Sequence, residues 1–191
     1  MSENNTKWID CYNRHLKGYL SSSIARATFQ QDSETRALEI LMYDRVFSDC
    51  RVFCSIGLTH YVQEVQNIAE VILVADDGWE DIPYILANAL FYTVQSRMKI
   101  GWGMVVGGVE VIAPLFASEF GKTALYFTNP NSFPEEFRHI SCQSKIGNLF
   151  QSFFISPEER KFFEQHGAYK FEEILEEKSI DPFDLKRPSC V

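Results

Sequence analysis

Four acidic side chains lie close together in the middle of the sequence: Asp76, Asp77, Glu80 and Asp81. They follow an apolar run, Glu70 to Val74 (EVILV). Carboxylates at the end of an apolar strand are what a metal-dependent nuclease needs, because hard oxygen donors hold the divalent ion that activates water. Such a centre also wants a further carboxylate or a lysine. The plainer reading is a turn followed by a helix cap, since aspartate favours both, and the sequence favours this reading. A broader feature surrounds the cluster. No Lys or Arg occurs between Val52 and Ser96, whereas Glu64, Glu70, Asp76, Asp77, Glu80 and Asp81 all fall there. Either these are solvated charges on several faces, or they form a patch that steers a basic partner into contact.

Other reactive side chains carry less. Cys50 and Cys54 are separated by three residues, with His60 nearby. A zinc site wants a second ligand pair at comparable spacing, and Cys142 and His139 stand alone. A cysteine nucleophile wants a base beside it. His15, His60, His139 and His166 sit in no local motif that supplies one. The G-x-S-x-G elbow and the phosphate-binding glycine loop are both absent from the sequence. No catalytic residue, cofactor or metal is expected.

The elements that would position these groups are legible from periodicity. Trp8, Tyr12, Leu16 and Leu20 recur at helical spacing, so the spacing predicts an amphipathic helix over 6–20, with Ser21, Ser22 and Ser23 ending it. Strands are expected over 38–43, 51–56, 70–74, 123–128 and 149–155. The run EVILV has no polar alternation and reads as a central strand covered on both faces. A helix over 82–97 has Ile82, Ile85, Leu86, Ala89, Leu90 and Val94 on one face, Asp81 as its cap and Pro83 in its first turn. Val105 to Val111 reads as a hairpin around Gly107 and Gly108. Ser156, Pro157 and Glu159 spell a capping box. That helix ends at Gly167, and a second one covers 170–177. Helices flanking strands of mixed spacing predict an α/β sandwich of the α+β kind, with a mixed β-sheet, in a single domain over 1–191.

Composition narrows the partners. The 191 residues are 46% hydrophobic and include 16 Phe, ample material for a core. The net charge of −8 repels a phosphate backbone, so nucleic acid is excluded as a partner and a basic protein is favoured. No signal peptide and no membrane-length apolar run is evident, so a cytoplasmic protein is expected. The five cysteines, Cys11, Cys50, Cys54, Cys142 and Cys190, are then expected as free thiols, several of them buried.

The C-terminal third adds a resemblance. Phe154 to Glu159 (FISPEE), Phe163 to Gly167 (FEQHG) and Asp184 to Ser189 (DLKRPS) stand in an order that resembles the closing signature of the suppressor-of-fused domain family. Val52 to His60 (VFCSIGLTH), Glu70 to Val74 and Thr123 to Pro130 (TALYFTNP) are similar to that family's earlier strands. At the first of these, Thr59 and His60 stand where a Ser-Asp pair is common in the family. The resemblance covers about residues 37–191 and implies a protein that binds rather than catalyses. The family's animal member restrains a transcription factor in hedgehog signalling. Short, acidic bacterial members resembling this chain are immunity proteins of polymorphic toxins, such as those paired with LXG toxins in Bacillus. The resemblance therefore implies an antitoxin that neutralises a cognate toxin, expected to be a nuclease, by stoichiometric binding. The alternative is a regulatory interaction module without a toxin partner. An enzyme seated at Asp76 and Asp77 is a third possibility. The family supplies no binding motif. Asp76, Asp77, Glu80 and Asp81 are therefore the electrostatic candidates for protein contact.

Overall fold

The computed structural model describes residues 3–47, 50–76, 79–143 and 145–191. Among them, eight strands form one mixed sheet. In chain order the elements are α1 (Glu3–Leu20), β1 (Ala25–Phe29), β2 (Leu38–Phe47), β3 (Cys50–Ile56), a 3₁₀ turn (Leu58–Tyr61), α2 (Val62–Val65), β4 (Ala69–Asp76), α3 (Ile82–Gln95) and β5 (Met104–Gly107). There follow α4 (Val109–Ile112), α5 (Pro114–Phe120), β6 (Ala124–Thr128), a 3₁₀ turn (Glu135–Arg138), β7 (His139–Cys142), β8 (Lys145–Ile155) and α6 (Pro157–Glu177). The strand order is β1-β2-β3-β4-β8-β6-β5, with β7 also paired to β8. The β4–β8 pair is parallel and the other pairs are antiparallel. No helix among the described residues is long and apolar enough to cross a membrane.

The sheet is covered on both sides, which explains the unbroken apolar character of β4. Val71, Leu73 and Ala75 face one side and pack with Ile82, Ile85, Leu86, Ala89 and Leu90 of α3. Ile72 and Val74 face the other and pack with Trp8, Tyr12, Leu16 and Leu20 of α1. At the far end of the sheet, Tyr126, Phe153 and Ile155 meet Phe171 and Leu175 of α6. Each large side chain so buried contributes about 1.5–3 kcal/mol, and these three clusters hold the layers together.

Several sequence expectations change. The hairpin at 105–111 does not form: β5 stops at Gly107, and Gly108, at φ +93°, starts α4 instead. Two short helices follow, the second opened by Pro114 and closed by Gly121 in the left-handed region. The edge strand β1 and the short β7 carry too few residues to declare themselves by period. By contrast, the expected break at Gly167 is present: at φ 79° and ψ 174° it is non-helical, and α6 consists of two helices that meet there. Asp81 occupies the N-cap of α3 with no side-chain cap bond; its carbonyl accepts from the Ile85 N–H at 3.0 Å.

The expectation of five free thiols is also corrected. Cys11 of α1 is bonded to Cys142 of β7, across 131 residues of sequence. Helical period turns Tyr12 into the core, but only the packing of α1 on β7 brings its neighbour Cys11 to Cys142. Cys50, Cys54 and Cys190 remain as thiols. Thiol titration of the unfolded, unreduced protein should therefore find three reactive groups, and five after reduction. Five before reduction would show that the bond does not form.

Candidate functional site

The acidic stretch divides when folded. Glu64 is half-buried on α2, before β4, whereas Asp76 stands at the far end of that eight-residue strand, itself roughly 25 Å long. Asp76 is half-buried beside Cys50 of β3, and its N–H donates to the Phe183 carbonyl at 3.1 Å. Asp77 lies outside the described residues. Glu80 and Asp81 are exposed just before α3. Among the described residues no three His, Cys, Asp or Glu side chains gather as a metal would require.

Glu70 leaves the patch altogether. It is buried, and its carboxylate accepts from Ser55 Oγ at 2.7 Å, the Gly57 N–H at 3.0 Å and the Leu58 and Thr59 N–H groups at 3.4 Å. The turn it holds needs glycine: Gly57 has φ +114°, and a Cβ there would lie 2.9 Å from the Ala37 carbonyl oxygen. Burial pushes the Glu70 carboxyl up, and the bonds from Ser55 and the turn offset this in part, leaving it at about 7. The early strand with its turn and the EVILV strand, separate pieces in the sequence, are thus joined by one carboxylate.

The closing signature is joined in the same way. The capping box is present as spelled: Ser156 Oγ accepts from the Glu159 N–H, and Glu159 Oε2 accepts from the Ser156 N–H at 2.9 Å. Arg187 also donates to both oxygens of Glu159, and its Nη2 donates to the Phe154 carbonyl at 3.2 Å. The Cys190 N–H donates to Glu159 at 3.0 Å, and Lys122 Nζ donates to the Arg187 carbonyl at 3.0 Å. Burial alone would raise the Glu159 carboxyl; the Arg187 hydrogen bonds and charge bring it below its ordinary value. These residues clasp the tail to the sheet, and the ion pair is shut away from solvent.

The surface offers one face with the make-up of an interface. Ten of the fourteen residues of α3 are buried, leaving Gln95 and a stripe of Tyr84, Asn88 and Tyr92 at four-residue spacing. Tyr84 is 47% and Tyr92 51% exposed; beside them stand Val111 of α4 at 81% and Leu115 of α5 at 75%. A cleft of about 400 Å³ is lined by Trp79, Asp81, Tyr84, Ile112, Leu115 and Phe116. A second, about 490 Å³, is lined by Asn88, Tyr92, Gln95, Val111, Ile112 and Arg160. Ile112 belongs to both, so the clefts adjoin across α4. Trp79 is held by edge contacts to Phe116 and Phe120, with ring centroids 5.9 and 5.8 Å away. Clustered exposed aromatic and aliphatic groups with acids at one end are the anatomy of a protein-binding surface. Of the sequence candidates, Glu80 and Asp81 lie at the entry to this face and Asp81 lines its first cleft. Val111 and Leu115 were missed because the hairpin reading hid two helices; Pro114 followed by Gly121 was the available signal. A larger cleft of about 610 Å³ on the β1–β2 side has mixed charge, and its Arg26 is paired with Glu39 at 3.3 Å.

Comparison with known proteins bears on this fold. The family model described as suppressor of fused protein (SUFU) matches residues 34–188. Immunity protein YqcF of Bacillus subtilis (strain 168) is 21% identical over 169 residues, 85% of this chain and 86% of that protein. The crystal structure of a SUFU homolog from Neisseria gonorrhoeae FA 1090 superposes with a TM-score of 0.78 at 16% identity, over 97% of this chain and 98% of its own. A chain of the Sufu–Fu complex crystal structure gives 0.61 at 10% identity, over 95% of this chain and 90% of its own. At such identities the two structures show the fold alone.

Proposed function

Because the chain belongs to the suppressor of fused family, we propose that it is an immunity protein, which neutralises a cognate bacterial toxin by binding it one to one without turnover. The observation that carries this reading is the relative named an immunity protein, aligned over 85% of the chain. Charge supports it. A nuclease must display basic surface to hold phosphates, and a protein of net charge −8 is attracted to such a surface and can cover it. The toxin is accordingly a nuclease in this proposal, and both proteins meet in the cytoplasm. The contact lies on the α3–α5 face, with Glu80 and Asp81 as the steering charges. Asp76, which ends β4, and Asp77, which lies outside the described residues, are further acidic candidates for contact in this proposal. A second reading, a regulatory binding module without a toxin, draws on the fold neighbour solved in the Sufu–Fu complex.

The direct test is co-expression with a candidate nuclease toxin. Cells should survive, and purified nuclease should lose activity in proportion to added chain, reaching full inhibition at a 1:1 ratio. Cell death despite a folded chain sinks the proposal, as does inhibition far below stoichiometry, which would indicate turnover. The charges carry their own prediction. Reversing both, Glu80→Lys with Asp81→Lys, should slow association about tenfold at low salt, with a smaller effect at high salt. Stopped-flow mixing checks it; an unchanged rate would place the steering charges elsewhere.

A further inference from the structure

The two clefts have a spacing and a polarity that specify what fits them. Tyr84 and Tyr92, one at each cleft, are eight residues apart on α3, about 12 Å along its axis. Two turns of an α-helix rise about 11 Å. A helix laid along the groove would therefore place side chains separated by two turns into successive clefts, on either side of Ile112. Trp79, Ile112 and Phe116 make the first cleft apolar; in the second, Tyr92, Val111 and Ile112 stand among Gln31, Asn88, Gln95 and Arg160. Asp81 lines the first cleft with exposed Glu80 next to it and no cation in the lining, while the second is bounded by Arg160. Arg160 is itself paired with Glu164 at 2.9 Å. Residues of α3, α4 and α5 supply most of the lining, which suits a helix in a groove.

We infer that the α3–α5 groove receives an amphipathic helix of the partner protein, with two apolar anchors two turns apart and a cluster of Lys or Arg at the end that lies over Glu80 and Asp81. This deepens the immunity reading and rests on its claim that the partner is a basic protein. A second copy of this chain suits the groove poorly, since the Glu80 and Asp81 ends bring no basic cluster to one another. The anchors supply most of the affinity and the charges set direction and rate.

The probe is a labelled synthetic peptide of about 16 residues, with leucines two turns apart and lysines clustered at one end, titrated onto the full chain by fluorescence anisotropy. Binding is expected, weakened at least about tenfold by Leu115→Asp and by Tyr92→Ala. Tyr169→Asp, on α6 and 82% exposed, should leave it unchanged. Because Leu115 and Tyr92 are exposed, circular dichroism should find both variants folded. A peptide with glutamates in place of the lysines should bind at least about tenfold more weakly. No binding, equal binding of the acidic peptide, or indifference to Leu115→Asp would overturn the assignment. So would a dimer of the chain abolished by Leu115→Asp, which would make a second copy the occupant. The immunity reading fails separately. If the peptide behaves as expected and the chain still gives no protection, the groove stands and the toxin does not. If protection survives Leu115→Asp, the toxin stands and the groove does not.

Discussion

Arg187→Ala should destabilise the protein by about 3–5 kcal/mol, the loss typical of removing one partner from a buried ion pair. The Arg187 side chain is 4% exposed and that of Glu159 is fully buried. The variant strands the Glu159 carboxylate in the interior with only the Ser156 and Cys190 N–H groups to stabilise it. It also frees the Phe154 carbonyl. Urea unfolding at neutral pH measures the loss; a change below about 1 kcal/mol would mean that water reaches the pair, as in a surface salt bridge. The double variant Glu159→Ala with Arg187→Ala should lose less than the sum of the two single changes, because both remove the same interaction. The clasp also sets an acid limit. Glu159 is held below its ordinary value of 4.5, so its contribution is fully present above that pH and is lost as pH falls through the folded-state value.

Glu70→Ala should cost about 3 kcal/mol, since it leaves the Ser55 hydroxyl and the Gly57 N–H buried without their acceptor and loosens the turn they belong to. The variant remains folded if the layers on either side of β4 are as extensive as the three apolar clusters imply. Glu70→Gln gives the sharper measurement. The Glu70 carboxyl is raised to about 7, against 4.5 when unfolded. Its proton is therefore retained on folding and stabilises the native state at low pH. That contribution is fully present below about 4.5 and is lost as pH rises through about 7. Between pH 5 and 7.5 the wild type should become less stable through this group, and Glu70→Gln should lack that part of the decline. Identical slopes would show that the hydrogen bonds outweigh burial and keep Glu70 ionised throughout. Glu159 and Glu70 thus act in opposite directions on either side of the ordinary carboxylate range.

These two carboxylates illustrate how the family resemblance works. The signature pieces are far apart when read in line, and in the fold they are pairs of structural contacts. The motif before the last helix and the arginine near the C-terminus are one clasp. The early turn and the EVILV strand are one hydrogen-bonded knot. In this chain those residues hold the sheet together. The proposed contact face is built from residues outside that signature, among them Tyr84, Tyr92, Val111 and Leu115.

Much of the architecture follows from local rules that act over a few residues. The α1 stripe of Trp8, Tyr12, Leu16 and Leu20, the apolar face of α3, the doubly covered β4 and the Ser156–Glu159 box were all readable, because period and capping depend on neighbours in sequence. Acidity was equally a matter of composition. Tertiary structure alone decided which charges share a surface. Glu70 and Asp81 are eleven residues apart, yet one is sealed under a turn and the other lines an open cleft. It alone paired Cys11 with Cys142 and Glu159 with Arg187, since contacts across 131 or 28 residues are set by how layers pack. It also turned the two-glycine segment into helix, because the left-handed backbone of Gly108 serves a helix start as well as a hairpin, and only packing against α3 distinguishes them.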